Sequence, residues 1–195
     1  QGAHNINLVT PTHLAEAVIK SLPEKLSVPV VYNTSGFESQ DTLRKLNGKV
    51  QIYLPDLKYS DDKLAIKYSN APYYFRIATD AIKEMYRQVG DYKINDDGIM
   101  ESGVIIRHLI MPGYLENSKK VIDWVAQNFK PGQVMFSLMH QYVPCGRAAE
   151  FPEINRKVTA EEYAEIEQYL MDSGIEDGFV QEEEAACTEF IPCFD

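Results

Sequence analysis

The sequence predicts an α/β fold in which five or six parallel strands alternate with helices. Short apolar segments rich in Val, Ile, Tyr and Phe recur along the chain, and segments with helical periodicity separate them. The strands are apolar at nearly every position, which is typical of parallel sheets covered on both faces. From the residues alone, an α/β barrel and a doubly wound sheet are both compatible with this alternation. The predicted strands are residues 5–9, 29–33, 50–54, 104–111, 134–139 and, more weakly, 178–181.

The segments between the strands show the patterns of amphipathic helices. The first helix is predicted over 12–22, with Thr12 as its N-cap. The sequence DYKINDDGIM, residues 91–100, contains an Asp-Gly turn signal and predicts a hairpin. The sequence TAEE at the start of 159–174 has the spacing of a capping box and predicts a helix there. The apolar face of the first helix would consist of Leu14, Ala17, Val18 and Leu22, and further helices are predicted over 38–46, 61–69, 72–90 and 116–129.

Composition and charge limit the domain organisation and the partners. One domain spanning 1–195 is expected, with its core over 1–145 and a C-terminal helix and last strand over 146–195. A net charge of −10 argues against nucleic acid as a partner, because binding phosphates requires clustered Lys and Arg. No apolar run approaches the roughly 20 residues of a membrane-spanning helix, so no membrane partner is expected. Three scattered cysteines fit a reducing compartment, and a cytoplasmic location is predicted.

Candidate site residues follow the strands, because ligands bind at the carboxyl ends of the strands in parallel α/β folds. Asp56 and Lys58 follow the third strand, and alternation places their side chains on the same side. One interpretation is a pair that holds a zwitterion such as an amino acid. The other is a solvated strand end whose charges simply pair with each other.

Two other strands carry polar candidates. Asn33, Thr34 and Ser35 offer an amide and two hydroxyls suited to hydrogen-bonding a ribose or carboxylate, or they form a plain turn in which Ser35 caps the next helix. Arg107 interrupts the apolar fourth strand, where an unpaired buried charge is costly. It is therefore predicted either to face a ligand or to pair with an acid, while His108 points to the opposite side.

Spacing supports no metal site and no nucleophile. The histidines show neither HxxxH nor HxH spacing, and structural roles are expected for them. The cysteines are predicted to be idle thiols, and GxSxG, P-loop and GxGxxG motifs are absent from the sequence. No catalytic residue follows from the pattern. The histidines are His4, His13, His108 and His140, and the cysteines are Cys145, Cys187 and Cys193.

An ordered series of segments carries a family resemblance: HNINLVTPTH, PVVYNTSGFES, IYLPDLKY, AIKEMYRQVG, GVIIRHLIMPG and HQYVP. Together they resemble the radical S-adenosylmethionine (radical SAM) proteins related to pyruvate formate-lyase-activating enzyme, in an uncharacterised branch. The resemblance implies a partial (β/α)6 open barrel with the first βα unit missing. It also implies a 4Fe-4S cluster that reduces S-adenosylmethionine to methionine and a 5'-deoxyadenosyl radical, which in activases takes a hydrogen from a glycine of a partner enzyme.

The resemblance also assigns residues. The family's DTNGF turn is matched by NTSGF, its DxK by DLK, and its fourth retained strand by IRHLIMPG. These matches imply contacts to the methionine part or the ribose of S-adenosylmethionine. The implied cofactor-binding residues are Asn33, Thr34, Ser35, Asp56, Lys58 and Arg107.

Two departures from the family pattern shape the functional hypotheses. The GGE turn is replaced by TPTH, and no CxxxCxxC occurs, so the cluster is not expected on this chain. The first hypothesis is the C-terminal part of a radical SAM activase-like oxidoreductase that is inactive alone and whose parent acts on a glycyl-radical or other protein. The alternatives are a cluster-free, aldolase-like barrel using Lys58 as a Schiff-base amine and a non-catalytic interaction module.

Overall fold

Six parallel strands form an open sheet in which neighbouring parallel strands follow the order of the chain. The computed structural model describes residues 2–23 and 26–180. A seventh, two-residue strand pairs antiparallel with the fourth parallel strand and forms the predicted hairpin. This is the predicted α/β open sheet of parallel strands. The strands are β1 (Ile6–Val9), β2 (Val30–Thr34), β3 (Ile52–Pro55), β4 (Lys93–Ile94), β5 (Met100–Leu109), β6 (Met135–Met139) and β7 (Gly178–Val180).

Helices occupy the connections between the strands. The last of them begins with the predicted capping box, since Thr159 Oγ1 accepts a hydrogen bond from Glu162 N at 3.2 Å and the Glu162 carboxylate accepts one from Thr159 N at 3.0 Å. Within residues 2–23 and 26–180, no helix has the length and apolar character needed to cross a membrane. The helices are α1 (Ala15–Ser21), α2 (Gln40–Leu46), α3 (Asp62–Ser69), α4 (Tyr74–Val89), α5 (Leu115–Asn128) and α6 (Ala160–Asp172).

The first helix departs from its prediction in both start and register. A 3₁₀ turn occupies Pro11–Leu14, and α1 begins only at Ala15. The predicted N-cap is wrong, because the Thr12 hydroxyl donates a hydrogen bond to Glu38 Oε1 at 2.5 Å instead of capping α1. The predicted apolar face is wrong in part, since Leu14 is 55% exposed whereas Ala15 is buried, although Leu22 packs against the core as predicted. The 3₁₀ turn rotates the following helix relative to a continuous one, which shifts its buried face.

Alternation along the strands separates two faces of the sheet. On the face that the helices cover, Tyr32 and Tyr53 are fully buried in the hydrophobic core. On the other face, which we call the inner face, Asn33, Ile105 and Arg107 are half-buried. Polar side chains on the inner face therefore lie outside the core while their backbones remain fixed in the sheet. The helices complete the core with residues that include Leu43, Leu46, Ile82, Met85, Val121, Ile122 and Ile166.

Candidate functional site

Four of the predicted site residues meet on the inner face. Arg107 Nη2 lies 2.6 Å from Asp56 Oδ1 in an ion pair and donates a hydrogen bond to Asn33 Oδ1 at 2.7 Å. Lys58 Nζ lies 3.4 Å from Asp56 Oδ2. We call Asn33, Asp56, Lys58 and Arg107 the inner-face cluster. It joins the ends of three neighbouring strands, β2, β3 and β5.

Strand pairing explains why residues so distant in sequence meet. Because β4 lies off the main path, β3 pairs directly with β5, and Asp56 forms a parallel bridge with Arg107. Leu57 N donates to Arg107 O at 2.8 Å, and Asp56 N donates to Thr34 O at 2.9 Å. These backbone bonds fix the strand ends, so the cluster is supported by the sheet rather than by mobile loops.

The cluster has a net positive charge and an unused donor. Asp56 contributes one negative charge, and Lys58 and Arg107 contribute two positive charges. The side chains of Asp56 and Arg107 are only 15% and 23% exposed, whereas that of Lys58 is 42% exposed. Arg107 Nε is buried without a hydrogen-bond partner in the part of the chain that the structure describes. This arrangement suits a ligand with a carboxylate for the cations and an ammonium for Asp56.

A neutral hydrogen-bonded support lies directly behind the cluster. His108 is fully buried on the helix side, where its Nδ1 lies 2.7 Å from Leu57 O and its Nε2 lies 2.8 Å from Ser118 Oγ. Because a carbonyl only accepts, Nδ1 carries the proton and the Ser118 hydroxyl donates to Nε2. Burial lowers the pKa of His108 to about 4, so the imidazole is neutral at neutral pH. His108 is thus a structural histidine, as predicted.

Two helices hold the β3 end from the same side. The Tyr74 hydroxyl of α4 accepts a hydrogen bond from Lys58 N at 3.0 Å and lies 2.9 Å from Ser35 O. Asn117 of α5 donates to Lys58 O at 2.9 Å and accepts from Ser60 N at 2.7 Å. Burial raises the pKa of Tyr74 far above its usual value, so the hydroxyl stays protonated. Both residues fix the position of the backbone at Lys58. The sequence patterns did not predict either role, although the amide side chain of Asn117 on the apolar face of a helix is a detectable signal.

Of the other two predicted site residues, Thr34 does not join the cluster with its side chain, and Ser35 contacts its surroundings through its backbone. The Thr34 hydroxyl points to the helix side and donates to Glu38 Oε1 at 2.6 Å. Ser35 contributes its carbonyl oxygen to Tyr74. The alternative prediction, that Ser35 caps the next helix, is wrong. The N-cap of α2 is Ser39, whose Oγ accepts a hydrogen bond from Thr42 N at 3.1 Å.

The remaining histidines and cysteines form no recognisable centre. His4 and His13 are exposed, but His140 departs from the expectation of a satisfied structural histidine. Both of its ring nitrogens are buried without hydrogen-bond partners among the described residues, and its ring lies 4.4 Å from that of Tyr163. Residues 2–23 and 26–180 contain no group of three His, Cys, Asp or Glu that could hold a metal ion. Cys145 is a free, exposed thiol, whereas Cys187 and Cys193 lie outside the described residues.

Room for a larger ligand lies next to Lys58. A cavity of about 250 Å³ is lined by Lys58, by Leu109 at the end of β5, by Met111 just after that strand, and by aromatic rings. A ligand whose charged end occupies the cluster can place an apolar or ring-shaped part there. The rings belong to Tyr59, Tyr68, Tyr142 and Phe151.

Comparisons with known proteins bear on the fold. No protein-family model matches the chain. The chain is 32% identical over 170 residues to the uncharacterised protein MJ0674 of Methanocaldococcus jannaschii. The aligned region is 85% of this chain but 45% of that protein. The chain thus spans less than half the length of this curated relative.

Two solved structures share the architecture. A domain of pyruvate-formate lyase-activating enzyme from Bacteroides vulgatus superposes with a TM-score of 0.64 and 15% identity, covering 93% of this chain and all of that one. Streptococcus suis SuiB, in a structure bound to the precursor peptide SuiA, gives a TM-score of 0.50 and 13% identity, covering 91% of this chain and 38% of that one. At these identities the likeness concerns the fold. This chain therefore shares the fold of these two structures, an open sheet of parallel strands flanked by helices.

Proposed function

We propose that this chain is the C-terminal part of a longer radical SAM protein and that its inner-face cluster binds the methionine end of S-adenosylmethionine. The observation that carries the proposal is the convergence of Asn33, Asp56, Lys58 and Arg107 at the carboxyl ends of parallel strands. The cluster occupies the edge of the sheet where ligands bind in this architecture. The motif order and the fold support the choice of ligand.

The residues fit the charges of the methionine moiety. Its carboxylate can contact the Arg107 guanidinium and the Lys58 ammonium, and its ammonium can contact Asp56. The buried Nε of Arg107, which has no partner among the described residues, gains an acceptor when a carboxylate binds. Asn33 Oδ1 accepts a hydrogen bond from the same Nη2 atom that pairs with Asp56, so the guanidinium is oriented before the ligand arrives.

The described residues do not fit a 4Fe-4S cluster. Such clusters are held by several cysteine thiolates, and the sequence has three cysteines and no CxxxCxxC. Cys145 is the single cysteine within the described ranges, and it is not part of any group of three ligating side chains there. We therefore assign this chain a role in binding S-adenosylmethionine and no step of its cleavage, and we expect the chain alone to be inactive.

The proposal extends to the whole protein through its relatives. The Bacteroides vulgatus domain belongs to a pyruvate-formate lyase-activating enzyme, and the motif series resembles the same group. We propose that the longer protein takes a glycyl-radical or other protein as its substrate. Lys58 is a poor candidate for the aldolase-like alternative, because its side chain is 42% exposed and its ammonium is paired with Asp56, whereas a Schiff-base lysine is activated by desolvation.

Calorimetry with three ligands tests the binding role. S-adenosylmethionine and S-adenosylhomocysteine carry the amino-acid end, whereas 5'-methylthioadenosine lacks it. We expect the first two to bind the chain at least about tenfold more tightly than the third, because a charge-assisted contact at a partly buried site is worth about 1.5–3 kcal/mol. In Asp56→Asn and Arg107→Met we expect the advantage of the amino-acid end to disappear.

Glu101→Gln provides the matched control, since Glu101 is an exposed carboxylate on β5 away from the cluster. Circular dichroism of every variant separates loss of binding from loss of structure. The proposal fails if 5'-methylthioadenosine binds as tightly as S-adenosylhomocysteine, or if folded Asp56→Asn binds as the original chain does.

A further inference from the structure

A second cavity, of about 540 Å³, lies on the helix side of the strand ends. Its walls come from the 3₁₀ turn at Thr12, the start of α2, and one face of α4. We propose that this cavity binds an organic cation with N–H donors, a primary ammonium or guanidinium group, through the carboxylate of Glu38. The inference is independent of the binding of S-adenosylmethionine at the inner-face cluster.

Glu38 forms the floor of the cavity. It is the buried member of the residues that line this space, with 2% of its surface exposed. Its Oε1 accepts hydrogen bonds from the hydroxyls of Thr12 at 2.5 Å and Thr34 at 2.6 Å, and a longer one from Tyr32 at 3.4 Å. Its Oε2 is buried and has no hydrogen-bond partner among the described residues. One carboxylate oxygen is thus saturated, and the other is left unused.

The missing partner of Oε2 has the chemistry of a cation. A buried carboxylate is costly unless a positive charge and hydrogen bonds compensate it. The groups that contact Oε1 are neutral hydroxyls, and Glu38 takes part in no ion pair within residues 2–23 and 26–180. An ammonium or guanidinium group supplies both the charge and an N–H donor.

The cavity walls favour an organic cation over a metal ion. A metal site needs several ligating side chains, and no group of three is found among the described residues. Two apolar side chains line the cavity instead: Phe37, whose ring stacks on Tyr74 at 6.0 Å, and Ile77. Asp80 adds a second carboxylate and Arg76 a cation among the lining residues. An alkyl chain can therefore pack against Phe37 and Ile77 while its charged end contacts Glu38.

Titrations of the full chain with defined probes test this site. The probes are butylammonium, agmatine, N-acetyl-lysine methylamide, tetramethylammonium and butanol, and the readout is the chemical shift of backbone amides in residues 35–42. We expect saturable shifts with the three N–H cations and binding at least about tenfold weaker with tetramethylammonium, which has no N–H, and with butanol, which has no charge. Butylammonium and the lysine derivative carry one ammonium each and are the matched pair: tighter binding of butylammonium indicates a free amine as the natural ligand, and tighter binding of the lysine derivative indicates a protein side chain.

Two variants connect the binding to this cavity. Glu38→Gln keeps an acceptor for the three hydroxyls but removes the charge, and we expect at least about a tenfold loss of affinity. Gln40→Trp places a large ring in the cavity lining and leaves the hydrogen-bond partners of Glu38 unchanged, so we expect it to block binding. It tests the site independently in case Glu38→Gln does not fold. The matched controls are Glu101→Gln and Gln127→Trp, at exposed positions. Unchanged affinity in folded Glu38→Gln or in Gln40→Trp, or equal affinity for tetramethylammonium and butylammonium, overturns the proposal.

Discussion

Neighbouring residues on β5 enter opposite environments. Arg107 lies on the inner face in an ion pair with Asp56, is partly exposed, and keeps its Nε without a partner among the described residues. His108 lies on the helix side, is fully buried, and has both ring nitrogens within hydrogen-bonding distance of partners. The first arrangement leaves binding capacity for a ligand, and the second uses all of its capacity to hold the strand end in place. The inner face is therefore the candidate site, and the helix side is its support.

The largest expected difference between the two faces concerns stability. We expect His108→Ala to lower the free energy of unfolding by about 3–5 kcal/mol, because it leaves a buried cavity and deprives Leu57 O and Ser118 of their partner. Arg107→Met should cost less, about 1–2 kcal/mol, since the Arg107 side chain is partly exposed and Asp56 keeps its second cation, Lys58. Urea unfolding measures both values. Equal losses would mean that Arg107 also serves mainly as structural support.

The pH dependence of stability sharpens the same contrast. Burial lowers the pKa of His108 from 6.5 to about 4, so folding disfavours the protonated form. The stabilisation is complete above pH 6.5 and is lost as the pH falls toward about 4, by about 3 kcal/mol in total. In His108→Gln, which still offers a donor and an acceptor, this slope should be absent.

Carboxylates act in a lower pH window and do not obscure the effect. Ion-paired hydrogen bonds lower the pKa values of Glu84, Glu153 and Glu162 from 4.5 to about 2, so their stabilisation is lost only below about pH 4.5. Subtracting the unfolding curve of His108→Gln from that of the original chain isolates the histidine. A flat difference between pH 6.5 and 4.5 would contradict a neutral, buried His108.

Strand alternation made the inner-face cluster predictable. The period of two placed Asp56 and Lys58 on the same side, and it opposed Arg107 to His108. The sequence left open which of Arg107 and His108 faces inward, because parity alone does not say which face the helices cover. Contacts decide it: His108 meets Ser118 of α5, and Arg107 meets Asn33.

The features that escaped prediction depend on which face of the sheet the helices cover and on contacts between elements. Thr34 follows Asn33 in sequence, yet its hydroxyl turns to Glu38 because one residue along a strand reverses the face. The start of α1 at Ala15 depends on a 3₁₀ turn whose Thr12 bonds to the same Glu38. Glu38 appeared in the sequence as an ordinary polar residue at the start of a helix. Its burial follows from the packing of Thr12 and Tyr32 around it, which no local pattern encodes.

Lys58→Met should have the smallest effect on stability of the variants considered, together with a large effect on ligand binding. The Lys58 side chain is 42% exposed and its Nζ lies 3.4 Å from Asp56 Oδ2, so removing the ammonium should change the free energy of unfolding by less than about 1 kcal/mol. The affinity for S-adenosylhomocysteine should nevertheless fall about tenfold, because one of two cations for the carboxylate is lost.

Lys63→Met, at an exposed position on α3, is the matched control and should alter neither quantity. A residue used for support loses stability and ligand affinity together when it is replaced, as expected for His108. A residue used for binding loses affinity alone, and Lys58 is the inner-face position where the two effects are most clearly separable. If Lys58→Met lowers stability as much as affinity, the ammonium belongs to the support of the β3 end, and binding of the carboxylate falls to Arg107.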